Sequence, residues 1–283
     1  MAAGMDKNGD YIDALGSVGF GFIEVGSVTP RPQPGNPKPR IFRLEKANAM
    51  INRLGFNNKG VDYLVQQVKK RRFSGVLGIN IGKNFDTPND QAADDYLLCL
   101  EKVYPHADYV TINISSPNTR GLRDLQNTEQ LDSLLAVLNS RRLELANEYQ
   151  KRVPLVVKVA PDLEDEQVPG MAQAIVRNEF DGLIATNTTI SRDAVKGMKH
   201  ADEQGGLSGA PVKDKANHIL AEFRGNLPPE IALIGTGGIT TGDDAAEKIK
   251  LGADLVQFYT GFVYKGPDLV KDSLQAIKAY KSA

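Results

Sequence analysis

Short runs of β-branched and aliphatic residues alternate along this chain with longer stretches of helical periodicity. Seven such runs predict buried strands, at Gly21–Val28, Gly75–Ile81, Tyr109–Ile114, Leu155–Ala160, Gly182–Thr186, Ile231–Gly235 and Leu255–Tyr259. Between them, apolar residues three and four positions apart predict helices with core-facing stripes: Val61, Leu64, Val65 and Val68; Ala93, Leu97, Leu100 and Tyr104; Leu131, Leu134, Leu135 and Leu138; Val168, Ala172 and Ile175; Val270, Leu274 and Ile277. Alternating strands and helices require a parallel sheet with crossover helices.

The fold predicted by this alternation is a (β/α)8 TIM barrel of the α/β class, forming one domain over residues 1–283. The chain opens on Ala2-Ala3-Gly4, which is typical of the end of an eighth strand, so we expect a barrel that is incomplete at its N-terminus. The segment Thr29–Pro39 is too rich in proline for a helix or a central strand. We therefore expect it to form an extended loop over the barrel mouth.

The composition is that of an ordinary globular protein and narrows the choice of function. Hydrophobic residues make up 41% and charged residues 24% of 283 residues, with a net charge of -1. No global field therefore favours nucleic acid. Cys99 is the only cysteine, and the three histidines are far apart, so the sequence predicts neither a disulfide nor a metal site. Cys99 lies in a helical stripe and is interpreted as a packing residue.

Amide and hydroxyl residues follow nearly every predicted strand. The densest group is Asn113–Asn118, which places two amides, two hydroxyls and a proline directly after an apolar run. Because the carboxyl ends of barrel strands meet on one face, these side chains should converge. Buried polar groups must be hydrogen-bonded or hold something polar. The sequence therefore predicts a site for a ligand with many hydrogen-bonding edges.

Lys158 interrupts an otherwise apolar strand. An isolated buried ammonium is costly to keep charged. The lysine could have a partner carboxylate or extend its side chain to solvent. It could also be a Schiff-base nucleophile, or a cation that faces an anionic ligand.

Two further segments have both a structural and a functional interpretation. Gly235–Gly238, with Tyr259-Thr260-Gly261 farther on, fits the phosphate site of such barrels, although glycine runs after strands are also plain turns. The cluster from Asn52 to Asn58 contains three amides, an arginine and a glycine. It could be a solvated loop with a helix N-cap, or it could wrap a ring that carries a carboxylate.

Taken together, these segments resemble the dihydroorotate dehydrogenases, in particular the class 2, quinone-linked branch. The resemblance runs along essentially the whole chain, through AAGMDKNG, GSVTPRPQPGNPKPR, NRLGFNN, GINIGKN, NISSPNT, VKVAPD, ATNTT, GGLSG, GTGGI and YTGF. The class assignment depends on Ser116, because class 1 enzymes carry a cysteine as the base in this loop.

The resemblance implies one FMN per chain at the carboxyl face of the barrel. By matched motif, the residues implied in cofactor binding are Ala3, Gly4, Lys7, Ser27, Asn80, Asn113, Lys158, Thr186, Gly209, Gly238, Tyr259 and Thr260. The residues implied in holding dihydroorotate or orotate are Lys7, Asn52, Arg53, Leu54, Gly55, Phe56, Asn113, Asn118, Asn187 and Thr188. Lys158 would face the edge of the flavin ring that gains negative charge on reduction.

The implied reaction is the oxidation of (S)-dihydroorotate to orotate in pyrimidine biosynthesis, with a quinone as electron acceptor. Ser116 would take the C5 proton, helped by Thr119 and a water molecule, while Phe56 shields the relay. A serine hydroxyl is intrinsically weak as a base and needs such activation. Thr119–Gln126 would form a mobile lid over the site.

The chain departs from the family pattern at its start. Class 2 members carry an N-terminal helical pair that contacts the membrane and forms the quinone site, and here we expect that segment and most of the first strand to be absent. The resemblance implies a peripheral position on the cytoplasmic face of a bacterial inner membrane, with the shortened chain itself soluble in the cytoplasm. The alternative functions are an FMN- or orotate-binding barrel with little quinone turnover, and an aldolase-type barrel that uses Lys158 as a Schiff base.

Overall fold

Seven parallel strands form the central sheet of the protein, in a computed structural model that describes residues 1–282. The strands of the chain are β1 Phe22–Val28, β2 Ile41–Leu44, β3 Ala49–Asn52, β4 Val76–Ile81, β5 Tyr109–Asn113, β6 Leu155–Val159, β7 Gly182–Ala185, β8 Gly206–Gly209, β9 Ala232–Thr236 and β10 Leu255–Gln257. The order in the parallel sheet is β1-β4-β5-β6-β7-β9-β10. All seven predicted strands are therefore confirmed, within one or two residues at each end.

The first residues of the chain join the two outer strands of this sheet. The backbone N–H of Ala2 donates to the carbonyl of Phe258 at 3.2 Å, next to the end of β10. On the other side, Glu24 N–H in β1 donates to Met1 at 3.0 Å, and Gly4 N–H donates to the Gly26 carbonyl at 2.6 Å. The N-terminal residues thus occupy the eighth strand position at the carboxyl end of the sheet, which curls into a barrel.

Helices cover the outside of the sheet, as expected for parallel strands that are buried on both faces. They are α1 Ile12–Gly16, α2 Val61–Lys70, α3 Ala92–Val103, α4 Thr128–Tyr149, α5 Gln167–Arg177, α6 Lys213–Asn226, α7 Gly242–Lys250, α8 Thr260–Lys265 and α9 Asp268–Lys281. The helices predicted at α2, α4 and α5 bury most of the expected stripes, with Val65 half-buried.

Two predicted stripes are confirmed only in part. In α9, Leu274 is 61% exposed, whereas Val270 and Ser273 are buried. Helix α9 packs on α7 so closely that a Cβ on Gly242 would lie 2.6 Å from the Asp272 carbonyl oxygen. This contact sets the rotation of the helix and turns Leu274 outward. In the stripe predicted at α3, Leu100 and Tyr104 are fully buried, whereas Ala93 and Leu97 are half-buried. The buried face also includes Tyr96 and Cys99.

A small antiparallel sheet of β2, β3 and β8 lies beside the barrel mouth and was not predicted. Its strands have four residues each, and their sequences IFRL, AMIN and GLSG show no sustained alternation of apolar and polar residues. Its own apolar cluster includes Phe42, Ile51 and Leu207. This sheet carries Asn52 and Gly209 to the rim of the barrel. Among the helices of residues 1–282, none combines the length and the apolar character needed to cross a membrane.

Candidate active site

A cavity of about 970 Å³, counted with its open mouth, lies at the carboxyl ends of the parallel strands. Most residues singled out in the sequence line it together: Ala3, Gly4, Lys7, Ser27, Asn52, Leu54, Gly55, Phe56, Asn113, Ser116, Asn118, Lys158, Thr186, Asn187, Thr188, Gly209, Gly238, Tyr259 and Thr260. They come from nearly every strand end and from the small sheet. This is the position at which barrels of this type build their active sites.

The side of the cavity nearest the strands is a closed network of polar side chains. Asn113, the last residue of β5, donates from Nδ2 to Ser27 Oγ at 2.8 Å and to Asn80 Oδ1 at 3.2 Å. Ser27 Oγ in turn donates to Asn80 Oδ1. Asn80 does not line the cavity but orients two residues that do. All three side chains are buried, and each is hydrogen-bonded to the other two.

Two lysines give the cavity a positive wall. Lys158 projects from β6 into the barrel and is 6% exposed. Burial lowers the pKa of Lys158, and the carboxylate of Glu24 partly offsets this effect. Burial, helped by the nearby Arg40 and Lys158 cations, lowers the pKa of Lys7 to about 8. Lys7 Nζ donates to the Gly4 carbonyl at 3.1 Å. An anionic ligand would favour the charged form of both lysines.

The part of the cavity formed by the segments after β9 and β10 is rich in backbone donors. Gly237 and Gly238 follow β9 with φ values of 99° and 80°, a conformation that side chains disfavour. Within residues 1–282, the N–H groups of Gly237, Gly238 and Thr260 donate no backbone hydrogen bond. Buried backbone donors without a partner are rare in proteins. Their grouping here suits the oxygens of an anion such as a phosphate.

The segment after β5 presents a hydroxyl to the cavity. Ser116 Oγ accepts a hydrogen bond from the Asn118 N–H at 3.2 Å, and the residue is 6% exposed. Thr119 is buried just behind it, outside the cavity lining, and its Oγ1 has no hydrogen-bond partner among the described residues. Phe56, with φ of 51°, packs on Gly82, where a Cβ would lie 3.0 Å from its ring.

Amide side chains surround the rest of the mouth. Asn118 Nδ2 donates to the Asn52 carbonyl at 3.1 Å and so joins the β5 loop to the small sheet. Asn187 Nδ2 donates to Ser115 Oγ at 3.0 Å. The hydroxyl of Thr188 is buried without a partner in the described part of the chain. These groups can donate to and accept from a small planar ring.

Arg53 is the predicted contact that the structure places elsewhere. Its guanidinium pairs with Glu203 at 2.7 Å and lies 4.6 Å from the centre of the Phe42 ring, and the residue does not line the cavity. Sequence reasoning missed Ser208, Val212, Ile239 and Phe258, which do line it. Ala2, Pro117, Thr236, Gly237 and Gly261 also line it and lie within segments that the sequence singled out, although they were not named as ligand contacts. Most of these are immediate neighbours of predicted residues, so extending each motif by one residue would have found them.

Comparisons with known proteins agree along the whole chain. A family model described as dihydroorotate dehydrogenase matches residues 1–280. The chain is 58% identical to the dihydroorotate dehydrogenase (quinone) of Ectopseudomonas mendocina over 281 residues, which cover 99% of this chain and 83% of that protein. It is 57% identical to the protein of the same name from Azotobacter vinelandii, covering 99% of this chain and 81% of that one.

Solved structures give the same result for the fold. A crystal structure of DHODH from Eimeria tenella in complex with ferulenol superposes with a TM-score of 0.92 at 40% identity, covering 98% of this chain and 79% of that one. The ligand-free form from the same organism gives 0.90 at 41% identity, covering 97% and 82%.

Proposed function

The chain belongs to the dihydroorotate dehydrogenase family, and on that premise we propose that it oxidises (S)-dihydroorotate to orotate and passes the electrons to a quinone. The protein is an oxidoreductase of pyrimidine biosynthesis. The single observation that carries the proposal is the convergence of Ser116, Lys158 and the amide residues on one cavity at the carboxyl face of the barrel. The family match favours a cationic role for Lys158 over the Schiff-base alternative.

The family works with a flavin, and we propose that the flavin here is FMN. The donor set fits that group, because unpartnered backbone N–H groups at Gly237, Gly238 and Thr260 suit a terminal phosphate. Lys158 at the other end would stabilise negative charge on the ring system. When bound, the flavin supplies the acceptor for the hydride that leaves C6 of the substrate.

For the substrate, we propose that the ring lies between the amide residues of the mouth and the flavin site. The side-chain amides of Asn52, Asn118 and Asn187 offer hydrogen-bond donors and acceptors at the cavity mouth. Lys7 offers a cation for the carboxylate of the substrate. Leu54, Gly55 and Phe56 complete that side. The unpartnered hydroxyl of Thr188 supports this placement, since a ring oxygen or N–H would satisfy it.

We propose that Ser116 takes the C5 proton. As its Oγ gains that proton, its own proton leaves through Thr119, three residues farther on, whose hydroxyl is buried and unused, and then through a water molecule to solvent. Phe56 shields this relay from bulk water. Such a closed path gives a weak base the activation that a serine requires.

A quinone acceptor is soluble in lipid, so we propose a peripheral position at the cytoplasmic face of a bacterial inner membrane. Flotation of the protein with liposomes of bacterial lipids tests this position, with neutral vesicles as the reference. The location of the quinone site stays a prediction.

The experiment for the function starts from the purified protein. We expect a yellow protein whose released cofactor has the mass of FMN, and a flavin that bleaches when dihydroorotate is added without oxygen. Because general base catalysis contributes about 10²–10⁴ in rate, Ser116→Ala should slow this bleaching by about that factor while flavin stays bound. Unchanged bleaching would refute the role of Ser116.

A matched control is Ser115→Ala, which removes the neighbouring hydroxyl. That hydroxyl donates to Asn113 Oδ1 at 3.1 Å and does not line the cavity. It also accepts from Asn187 Nδ2 at 3.0 Å, so the substitution removes two neutral hydrogen bonds, each worth about 0.5–1.5 kcal/mol. Because these bonds orient Asn113 and Asn187 but carry no proton, we expect a smaller loss of bleaching rate than for Ser116→Ala. Equal effects of the two substitutions would show that the loop, and not one hydroxyl, is responsible.

A further inference from the structure

Glu24 is a carboxylate buried at the centre of the barrel. It lies in β1, is 0% exposed, and does not line the cavity. Its two oxygens accept hydrogen bonds from Asn80 Nδ2 at 2.8 Å, Tyr109 Oη at 2.9 Å, Thr111 Oγ1 at 3.1 Å and Gln257 Nε2 at 2.9 Å. These donors come from β4, β5 and β10. A buried charge is tolerated only when it is satisfied in this way.

The strands around this carboxylate are shaped to admit one of its donors. Gly78 in β4 is the register partner of Glu24. A Cβ at Gly78 would lie 2.1 Å from Cζ of the Tyr109 ring. Glycine at this position therefore makes room for the ring that brings the Tyr109 hydroxyl to Glu24. The barrel therefore provides four donors for the Glu24 carboxylate and, at Gly78, the space that the Tyr109 ring needs.

The Glu24 carboxylate also fixes which atoms donate and which accept in the hydrogen-bond network of Asn80, Ser27 and Asn113. A carboxylate only accepts hydrogen bonds, so Asn80 must turn Nδ2 toward Glu24 and Oδ1 toward the cavity side. Asn80 Oδ1 then accepts from Ser27 Oγ and from Asn113 Nδ2. The proton of Ser27 is thereby used, and its free lone pair is left for a ligand donor. A glutamine at position 24 could donate as well as accept, and the direction would be lost.

The charge of Glu24 acts on the cavity through Lys158. Lys158 is the register partner of Asn113 on the neighbouring strand, so it lies beside the network that Glu24 orients. Within the described chain the Lys158 ammonium donates no hydrogen bond to a protein group, and the carboxylate of Glu24 opposes the lowering of its pKa by burial. The Met1 ammonium also faces Glu24, and Lys7 faces Lys158. Lys158 lines the cavity whereas Glu24 does not. A ligand therefore meets the cation and not its counter-charge.

We propose that Glu24 is a positioning residue of the flavin site: it fixes the orientation of Asn80, and through it that of Ser27 and Asn113, and its negative charge stabilises the ammonium of Lys158. The inference rests on the proposed function, because it takes the ligand of this cavity to be a flavin. It adds to that function a residue that touches neither cofactor nor substrate.

The test compares Glu24→Gln with a matched control, Tyr109→Phe, which removes one donor to the same carboxylate and leaves the bond to Asn80 and the charge in place. Two measurements are made on each protein: FMN affinity of the stripped protein by fluorescence quenching, and the midpoint potential of the bound flavin against a reference dye. For Glu24→Gln we expect at least tenfold weaker FMN binding and a more negative potential. For Tyr109→Phe we expect binding within about twofold of the wild type and an unchanged potential.

The sign of the potential shift is diagnostic. Removing a carboxylate near a flavin would by itself raise the potential, because the reduced flavin carries negative charge. A fall therefore reports that Lys158 has lost its proton. Wild-type FMN affinity in Glu24→Gln, or a potential that stays equal or rises, would overturn the proposal. Equal losses of affinity in both variants would show a merely structural role and would also overturn it.

If Glu24→Gln does not fold, Glu24→Asp decides the question. This variant keeps the charge, but its side chain is one methylene shorter, so its carboxylate lies farther from Asn80 Nδ2. We therefore expect weaker FMN binding at an unchanged potential. FMN binding equal to wild type would overturn the proposal. Bleaching of the wild-type flavin by dihydroorotate tests the proposed function separately. If the wild type binds FMN but is not bleached, the proposed function fails, and the comparison at Glu24 still stands.

Discussion

Buried charges in this molecule differ in how far the surrounding residues satisfy them. Glu24 has four donors, whereas Lys248 in α7 is 0% exposed and its Nζ has no hydrogen-bond partner in residues 1–282. Burial lowers the pKa of Lys248 to about 7, from an ordinary value of 10.5, despite the nearby Glu247 and Asp244. An unsatisfied ammonium of this kind lowers stability at neutral pH.

Replacing this lysine should therefore stabilise the protein. Lys248→Met keeps most of the side-chain volume without the charge, and we expect an increase of about 1–4 kcal/mol in the free energy of unfolding at pH 7. Between pH 7 and 10.5 the unfolded chain holds the proton that the folded chain has lost, so wild-type stability rises with pH in this window. The advantage of the variant should shrink accordingly.

Urea unfolding at pH 7 and pH 9.5 measures both effects. The control is Lys250→Met, at an exposed lysine two residues farther along the same helix, which should change stability by less than about 0.5 kcal/mol. An advantage of Lys248→Met that stays the same at both pH values would contradict this account of the buried ammonium.

At the scale of elements, the segment after β5 is held by one arginine. Arg123 donates from Nε to the Ser115 carbonyl at 3.0 Å, from Nη1 to Asp162 at 2.8 Å and from Nη2 to the Thr188 carbonyl at 2.7 Å. It thereby joins the ends of β5, β6 and β7 next to Ser116. The second half of the predicted lid, Leu122–Gln126, forms a short 3₁₀ turn with Leu122, Leu125 and Gln126 buried.

These contacts predict that Arg123 matters more to the site than Arg120, which lies in the same predicted lid. Arg123→Lys removes the planar fork, so the three strand ends lose their common anchor. We expect bleaching by dihydroorotate to slow by about 10–100-fold with FMN still bound, because misplacing a catalytic group costs about this much. Hydrogen exchange should increase over residues 114–126. Arg120→Lys, at an exposed arginine of the same segment, is the control and should leave both properties near wild type. Equal hydrogen exchange over residues 114–126 in the two variants would contradict this role of Arg123.

The elements that the sequence predicted, and those that it did not, differ in a physical way. Apolar runs located the parallel strands because a strand buried on both faces needs a continuous apolar run. The strands of the small sheet were missed, since IFRL, AMIN and GLSG are short and are defined by pairing between distant segments. Leu274 was misplaced for a similar reason, because the contact of α9 with α7 sets which face is buried.

The candidate site was predictable to the extent that it lies in contiguous motifs. Lys158 stood out as a charge within an apolar strand, and Glu24 in the run GFIEVGSV carries the same signal, which we did not use. The pairing of Arg53 with Glu203, 150 positions farther along, has no local signature. Contacts between residues that are distant in sequence and come together only when the barrel closes cannot be predicted from local sequence patterns.

For the whole molecule, the barrel interior is layered along its axis. Tyr109, Val156, Ile184 and Ile234 form an apolar layer at the lower end, with Phe22 packed against it. Above it lie the buried polar groups around Glu24, and above these the cavity. The barrel is thus closed below and open above, and a ligand in the cavity would contact residues from most strands at once.

Because the cavity is lined from nearly the whole chain, filling it should stabilise the entire fold. A ligand that binds only the folded state at 100 times its Kd adds about 2.7 kcal/mol. For a domain of this size that corresponds to a rise in Tm of roughly 5–10 °C. Thermal unfolding of the stripped protein with and without added FMN measures the rise. Riboflavin, which lacks the phosphate, should give a clearly smaller shift at equal concentration, because the N–H groups of Gly237, Gly238 and Thr260 would stay unpaired. An equal shift with riboflavin would show that the phosphate does not bind the N–H groups of Gly237, Gly238 and Thr260.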